Sequence, residues 1–149
     1  MKTVLNKIRL FFSFILSLEW AEHQDIFGEC SDERGLLMTR YHVLLVPRLR
    51  IFIHKIHRSD VNIFHDHPRS FVSFILRGGY VEHTPQGSGY YRPGRILYRR
   101  ASAPHWLEVE RPALTLFIAW GKSKEWGFYL PDEGVRVLFQ EYDYAQVRC

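Results

Sequence analysis

The sequence predicts an all-β domain with a helical segment at its N-terminus. From residue 36 onward, short stretches rich in β-branched and aromatic residues follow one another, separated by Gly and Pro. Aromatic residues make up 15% of the chain, which is typical of a β-rich core or a lined pocket. With 149 residues, the chain suits one domain with a sizeable core. A series of short strands of this kind predicts a sandwich or a small barrel.

The first 35 residues are predicted as a helix and a connector, ahead of a domain spanning residues 36–149. Residues 4–23 contain frequent apolar side chains and neither Pro nor Gly, so we expect a helix. The apolar run at residues 10–18 follows basic residues, as in a signal peptide, but no Ala-x-Ala cleavage pattern comes after it. A transmembrane helix needs about 20 apolar residues, so none is expected. We expect a helix packed on the domain or lying at an interface, and a polar connector at residues 28–35.

The remaining apolar segments are predicted as strands. In residues 49–57 the side chains alternate, whereas residues 71–76 form a nearly continuous apolar run. Gly78 and Gly79 predict a hairpin turn after that run, and residues 85–89 predict an exposed loop. The predicted strands are 36–46, 49–57, 62–67, 71–76, 80–84, 95–99, 106–109, 114–120, 126–130 and 135–139.

Charge and cysteine content narrow the classes of function. The net charge is +4, but no block of about five or more like charges occurs. The sequence also predicts no helix that would read a nucleic-acid groove and contains no RNA-binding signature. Nucleic acid is therefore not an expected partner. The only cysteines are Cys30 and Cys149, so a disulfide framework is not expected. This usage fits a reducing compartment, and we predict a cytoplasmic protein.

Two closely spaced histidines are the most informative feature of the chain. His65 and His67 lie on one predicted strand with a single residue between them, so their side chains point to the same face. Their Cα atoms are then about 6.5 to 7 Å apart, which lets two imidazoles bind one cation. His105, on a later apolar segment, is the candidate third ligand. Asp66 points to the opposite face, so we expect it to lie at the surface or behind the site.

The histidine pair opens a motif that resembles the first motif of the cupin family, double-stranded β-helix proteins built on a jelly roll. That motif continues with an acidic residue and then Gly. Here Phe71 stands at the acidic position and Gly78 at the glycine position.

A second segment resembles the second cupin motif, which opens with Gly and closes with His. Gly94 and His105 have the separation of that motif, whereas Arg100 and Ser102 replace the Pro and Gly that usually fall between. The resemblance covers approximately residues 36–130 and implies a cupin jelly-roll barrel.

The run from His65 to Tyr80 is also similar to small single-domain cupins of bacteria and phages. Trp126-Gly127-Phe128 has a counterpart near the end of those proteins, whereas Arg69 stands where they often have Trp. The resemblance also implies a homodimer.

The loss of the acidic ligand makes the site similar to the three-histidine set of thiol dioxygenases, a cupin branch that oxidises thiols with ferrous iron and oxygen. The resemblance implies a non-haem Fe(II) dioxygenase acting on a small thiol or carboxylate. Imidazoles also suit Zn and Ni, and Mn stays an alternative. Two other functions stay open: a non-catalytic cupin that binds a small sugar or anion, and a metal-independent sugar isomerase or epimerase.

Four further residues are candidates for the chemistry around the metal. Glu82 is a candidate distant ligand, general base or substrate contact if it faces inward, and a salt-bridge partner if it does not. Tyr80 is a second candidate catalytic residue. Arg99 is the candidate clamp for an anionic substrate, with a solvated edge as the alternative, and Tyr98 is a candidate substrate contact at the mouth. His54 is expected either to support the site or to pack in the core.

Overall fold

Strands account for most of the described chain. The computed structural model describes residues 22–30, 33–130 and 135–138, and these residues contain no helix. The all-β prediction is therefore confirmed, whereas the helix predicted over residues 4–23 lies outside the described residues as far as residue 21. The strands are β1 (His23–Cys30), β2 (Glu33–Val46), β3 (Leu49–Ile56), β4 (His65–Asp66), β5 (Arg69–Arg77), β6 (Tyr80–Thr84), β7 (Gly87–Tyr91), β8 (Ile96–Arg99), β9 (Trp106–Glu108), β10 (Ala113–Lys122), β11 (Gly127–Tyr129) and β12 (Arg136–Leu138).

Six strands form one antiparallel sheet in the order β1-β2-β3-β10-β5-β8. Its register places Thr115 of β10 opposite His54 of β3 on one side and Ile75 of β5 on the other. Arg40 of β2 lies opposite His54 as well. Residues that oppose each other across a sheet share a face, so these four side chains all point to the interior of a barrel.

The second wall of the barrel consists of two three-stranded sheets, in the orders β12-β11-β4 and β7-β6-β9. An antiparallel bridge between His65 and His105 joins them, with a backbone hydrogen bond of 3.0 Å in each direction. His65 and His105, two of the three candidate metal ligands, thus also join the two sheets of this wall.

The apolar core fills the end of the barrel where β3 ends and β10 begins. It consists of buried side chains from several strands: Ile56, Ile75, Tyr80, Leu97, Val109 and Ala113. Each fully buried Ile or Leu contributes about 1.5 to 3 kcal/mol. A smaller cluster, Ile63 with Phe128, packs beside the histidine strand. The second cluster reaches the site directly, because the Phe128 ring lies 5.8 Å from the ring of His65.

The polar connector predicted at residues 28–35 is wrong, because residues 28–30 belong to β1 and residues 33–35 belong to β2. β1 and β2 pair from His23 opposite Tyr41 to Cys30 opposite Glu33. β1 is an edge strand, and its polar side chains reach solvent. Its sequence therefore lacks the alternation of apolar and polar residues that predicts a strand. The division of the chain after residue 35 stays a prediction.

Two other segments differ from the sequence prediction. The exposed loop predicted at residues 85–89 is a two-residue turn, since β7 begins at Gly87 and pairs with β6. The strand predicted at residues 62–67 is reduced to β4, because the preceding residues turn, with Ile63 N donating to Val61 O at 2.6 Å.

The turn predicted at Gly78 and Gly79 is confirmed, but it does not form a hairpin. Gly78 has a φ of 73°, and a Cβ there would lie 2.6 Å from the carbonyl oxygen of Pro112, so only glycine fits. β5 pairs with β10 and β8, whereas β6 pairs with β7 and β9. The turn therefore carries the chain from one wall to the other.

Among the described residues, no helix is long and apolar enough to cross a membrane.

Candidate metal centre

Strand geometry brings the three predicted histidines together. His65 and His67 flank Asp66 in the β4 region, so their side chains share a face as predicted. The backbone bridge sets His105 directly beside His65. The ring centroids of the three residues are 5.0 to 5.3 Å apart. One ring nitrogen from each lies within 4.8 Å of the others, so this trio can hold a metal ion.

The spacing of His67 and His105 comes within a few tenths of an ångström of that of two ligands on one metal ion. The Nε2 atoms of His67 and His105 are 2.8 Å apart, which is a hydrogen bond between the rings. Two nitrogens bound to one cation at ordinary Zn–N lengths lie about 3.0 to 3.4 Å apart. A small side-chain shift therefore converts the hydrogen bond into coordination, and the residues present fit a metal.

The site favours neutral imidazoles, the form that binds metals. Burial, and then the charge of His105, lowers the pKa of His65 to about 3. Burial also lowers the pKa of His67 well below its ordinary value, and the charges of His105, His65 and Arg40 add to this effect. The protons that compete with a metal are therefore weakly held at neutral pH.

Glu82 is almost fully buried and fixes the orientation of His105. Its Oε1 lies 2.6 Å from Nδ1 of His105. Burial by itself raises the pKa of Glu82, but hydrogen bonds from His105 and Arg99 outweigh burial, and the pKa lies below its ordinary value. An ionised carboxylate only accepts, so Nδ1 of His105 donates, and Nε2 is the nitrogen that faces His67. A carboxylate in this position is typical of metal-binding histidines.

Arg99 lies behind Glu82 and does not line the cavity at the histidines. Its Nε donates to Oε1 of Glu82 at 2.9 Å and its Nη2 donates to Oε2, so the pair is bidentate. Its Nη1 donates to the carbonyl oxygen of Tyr98 at 2.8 Å. The hydrogen bonds from Arg99 to Glu82 raise the pKa of the guanidinium. The contacts thus place Arg99 as a partner of Glu82, and its role as a substrate clamp stays a prediction.

A second carboxylate, which the sequence analysis did not single out, lies beside His65. Oδ2 of Asp60 is 3.8 Å from Nε2 of His65 and accepts a hydrogen bond from Leu107 N at 2.9 Å. Burial raises the pKa of Asp60 to about 6. Asp60 precedes β4 in an irregular segment, where no periodic signal marks a side chain as inward-facing.

Asp66 by contrast points away from the histidines, as predicted, and binds Arg136.

Phe71 lies where the resemblance places the missing acidic ligand. Its ring is 5.0 Å from the ring of His67 and 5.9 Å from the ring of His105, and it is buried. The Phe71 ring also stacks on Phe117 at 4.5 Å. The wall beside the histidines is thus aromatic at the point where many cupins have a carboxylate.

The histidines line a cavity of about 500 Å³. Tyr80 reaches the cavity wall, and burial raises the pKa of its hydroxyl, so the group stays protonated. Tyr98 is 52% exposed and stacks on Trp120, and it is absent from the residues that line the cavity. The structure therefore places Tyr80 but not Tyr98 in the wall of this cavity, and the roles of both stay predictions. His54 also lines the cavity and accepts a hydrogen bond from Arg40.

Solved structures share this architecture. A polyketide cyclase, RemF from Streptomyces resistomycificus, aligns with a TM-score of 0.57 and 12% identity, covering 74% of this chain and 84% of that one. KdgF from Halomonas sp. aligns with a TM-score of 0.55 and 16% identity over 70% of this chain and 92% of that one. An uncharacterised Klebsiella pneumoniae protein with a double-stranded β-helix domain has a TM-score of 0.52 and 13% identity, over 68% and 89% of the chains. This chain has the cupin fold.

The likeness to other cupins is one of fold alone at these identities. No protein-family model matches this sequence, and neither does any curated protein. The histidine trio is compatible with a metal-binding cupin.

Proposed function

We propose that the protein is a mononuclear metal enzyme in which His65, His67 and His105 bind a divalent cation next to a pocket with an aromatic wall. The observation that carries the proposal is the convergence of three imidazoles within 4.8 Å, one of them held by the buried carboxylate of Glu82. A structural histidine does not need this arrangement, whereas a metal ligand does.

Iron is the metal that we propose, with Zn, Mn and Ni as the other candidates. Three neutral ligands leave the full charge of the cation in the site, which favours an anionic substrate group such as a thiolate or carboxylate. Ferrous iron supplies dioxygen chemistry at such a site when bound. The support for a dioxygenase acting on a small thiol or carboxylate is the three-histidine set with Phe71 at the acidic position.

The protein's own residues supply orientation, exclusion of water and proton handling. Phe71 and Phe117 stack beside the histidines and keep that side of the cavity dry. Glu82 holds the Nδ1 proton of His105 and so keeps its Nε2 available. Asp60 is the carboxylate near His65 that we propose as proton acceptor for a bound substrate, and Tyr80 is the proposed proton donor.

Metal analysis tests this function directly. The protein is produced anaerobically with ample iron, manganese, zinc and nickel, and its metal content is measured. We expect approximately one metal per chain in the wild type and none in the His65→Ala/His67→Ala double variant. His83→Ala is the matched control, because His83 belongs to β6 but pairs with Glu108 on the outside. Equal metal content in all three proteins contradicts the proposal.

A metal-independent isomerase or epimerase is the second candidate function. It is favoured by the hydrogen-bonded chain from Glu82 through His105 to His67, which suits a histidine base held by a carboxylate. Turnover that survives excess chelator supports this alternative, whereas turnover that is lost with the metal excludes it. The cytoplasmic location and the homodimer stay predictions.

A further inference from the structure

Arg40 is a partly buried cation in the cavity wall that the sequence analysis did not single out. Its Nε donates to Nε2 of His54 at 3.2 Å, and its guanidinium carbon lies 4.8 Å from the centroid of the Phe52 ring. Within the described part of the chain, no carboxylate pairs with Arg40 and its two terminal NH2 groups have no acceptor. Burial and the charge of Arg50 lower its pKa to about 10, so it stays protonated at neutral pH.

Two of the other partly buried arginines have a carboxylate of their own, whereas Arg69 donates to the carbonyl oxygen of Pro47 and, within the described residues, its Nη1 is buried without a partner. Arg99 pairs with Glu82, and Arg136 pairs with Asp66. A buried charge without a partner is destabilising, because the protein replaces little of the solvation that water provides. Arg40 thus differs from Arg99 and Arg136, and a ligand in the cavity is the natural source of the missing anion.

An aromatic surface connects Arg40 to the histidines. The ring of His54, which contacts Arg40, lies 4.6 Å from the Phe117 ring. Phe117 stacks on Phe71 at 4.5 Å, and Phe71 lies 5.0 Å from the ring of His67. The cavity therefore offers a cation at one end, an apolar surface in the middle and the imidazoles at the other end.

We propose that the cavity binds a small carboxylate with an apolar body, whose carboxylate pairs with the terminal NH2 groups of Arg40. A guanidinium presents two parallel N–H donors that match the two oxygens of a carboxylate. The apolar body then lies against Phe117 and Phe71, and its far end reaches the histidines. The assignment of this ligand as the substrate rests on the proposed metal function, whereas the binding itself does not.

The test compares three probes that share one apolar body: 3-phenylpropionate, its neutral amide 3-phenylpropionamide, and 2-phenylethyl phosphate. Their affinities are measured by calorimetry with zinc-loaded protein and again with excess EDTA. The proteins are wild type, Arg40→Met, Arg40→Lys, and Arg92→Met as a control in an exposed turn. A charge-assisted hydrogen-bonded pair is worth about 1.5 to 3 kcal/mol, which corresponds to a loss of approximately tenfold to 150-fold in affinity.

We expect wild type to bind the carboxylate at least about tenfold more tightly than the amide. That preference should disappear in Arg40→Met, fall partly in Arg40→Lys, and persist in Arg92→Met. Two results for the wild-type protein overturn the proposal. One is equal affinity for the carboxylate and the amide, and the other is a higher affinity for the phosphate than for the carboxylate. Metal content, measured on the same samples, reports separately on the proposed function. A carboxylate preference that persists in EDTA supports the Arg40 site even where metal is absent.

Discussion

Glu82 and His105 form a buried hydrogen-bonded pair, with Oε1 of Glu82 2.6 Å from Nδ1 of His105. Because Glu82 also accepts two hydrogen bonds from Arg99, its carboxylate is held from both sides. The pair links the β6 strand to the residue that precedes β9, and it decides which nitrogen of His105 faces the other histidines.

Replacing Glu82 by Gln should weaken metal binding about 10- to 100-fold, because the amide no longer fixes the His105 tautomer with a full charge. The affinity is measured by competition with a chromogenic chelator. Glu108→Gln is the control, since Glu108 is exposed and contacts His83 on the outside. Equal affinities in the two variants would show that Glu82 acts only through Arg99 and the stability of the fold.

Placing a carboxylate at position 71 should restore the acidic ligand that this chain lacks. Phe71 lies beside His67 and His105, so Phe71→Glu adds an anionic oxygen to the set. Without metal, the buried charge should lower the Tm. With manganese, a metal that prefers oxygen ligands, the metal-induced rise in Tm should exceed that of wild type. Phe71→Gln has a similar shape and no charge, and an equal manganese response in both variants would contradict the prediction.

The unfolding free energy should fall as the pH drops below about 6.5, in part because of His54. Burial, and then the charge of Arg40, lowers the pKa of His54 well below 6.5 in the folded state. The unfolded chain binds a proton at pH 5.5 that folded His54 does not, which costs about 1.4 kcal/mol of stability. His54→Gln removes this term and can still accept a hydrogen bond from Arg40. Urea denaturation at pH 7.5 and 5.5, in chelator, should show a smaller loss for the variant, and an equal loss would exclude His54 as a source.

Asp66→Asn should destabilise the protein by about 3 to 5 kcal/mol, since it removes the charge that compensates nearby cations. Asp66 is fully buried and accepts hydrogen bonds from Nε and Nη2 of Arg136, at 2.8 and 2.9 Å, and from Tyr129 at 2.9 Å. Glu125→Gln is the control, because that exposed side chain pairs, among the described residues, with Lys122 at the surface. A loss below about 1 kcal/mol in urea denaturation would show that the Arg136 pair contributes as little as a surface pair.

The fold class and the histidine pair could be predicted because both depend on short-range patterns. Alternating apolar residues mark strands, and one-residue spacing places His65 and His67 on one face whatever the rest of the chain does. The position of His105 needed the motif, since spacing alone does not show which distant strand lies beside β4.

The partners of the site could not be predicted, because they depend on how distant strands pair. Glu82 and Arg99 meet only through the arrangement of β6 and β8 on opposite walls. Asp60 lies in an irregular segment and Arg40 on a strand near the sheet edge, and no motif includes either. The hairpin of β1 and β2 was missed for a related reason: its polar residues resemble a loop unless the pairing is known.

The bridge between His65 and His105 places the proposed metal ligands at the seam where two small sheets meet. A cation bound there ties together positions 38 residues apart in the chain, from His67 to His105, and acts as a removable cross-link. Release of the ion and separation of the sheets then belong to one equilibrium. If the proposed metal site is correct, the free metal concentration sets how readily the two sheets separate.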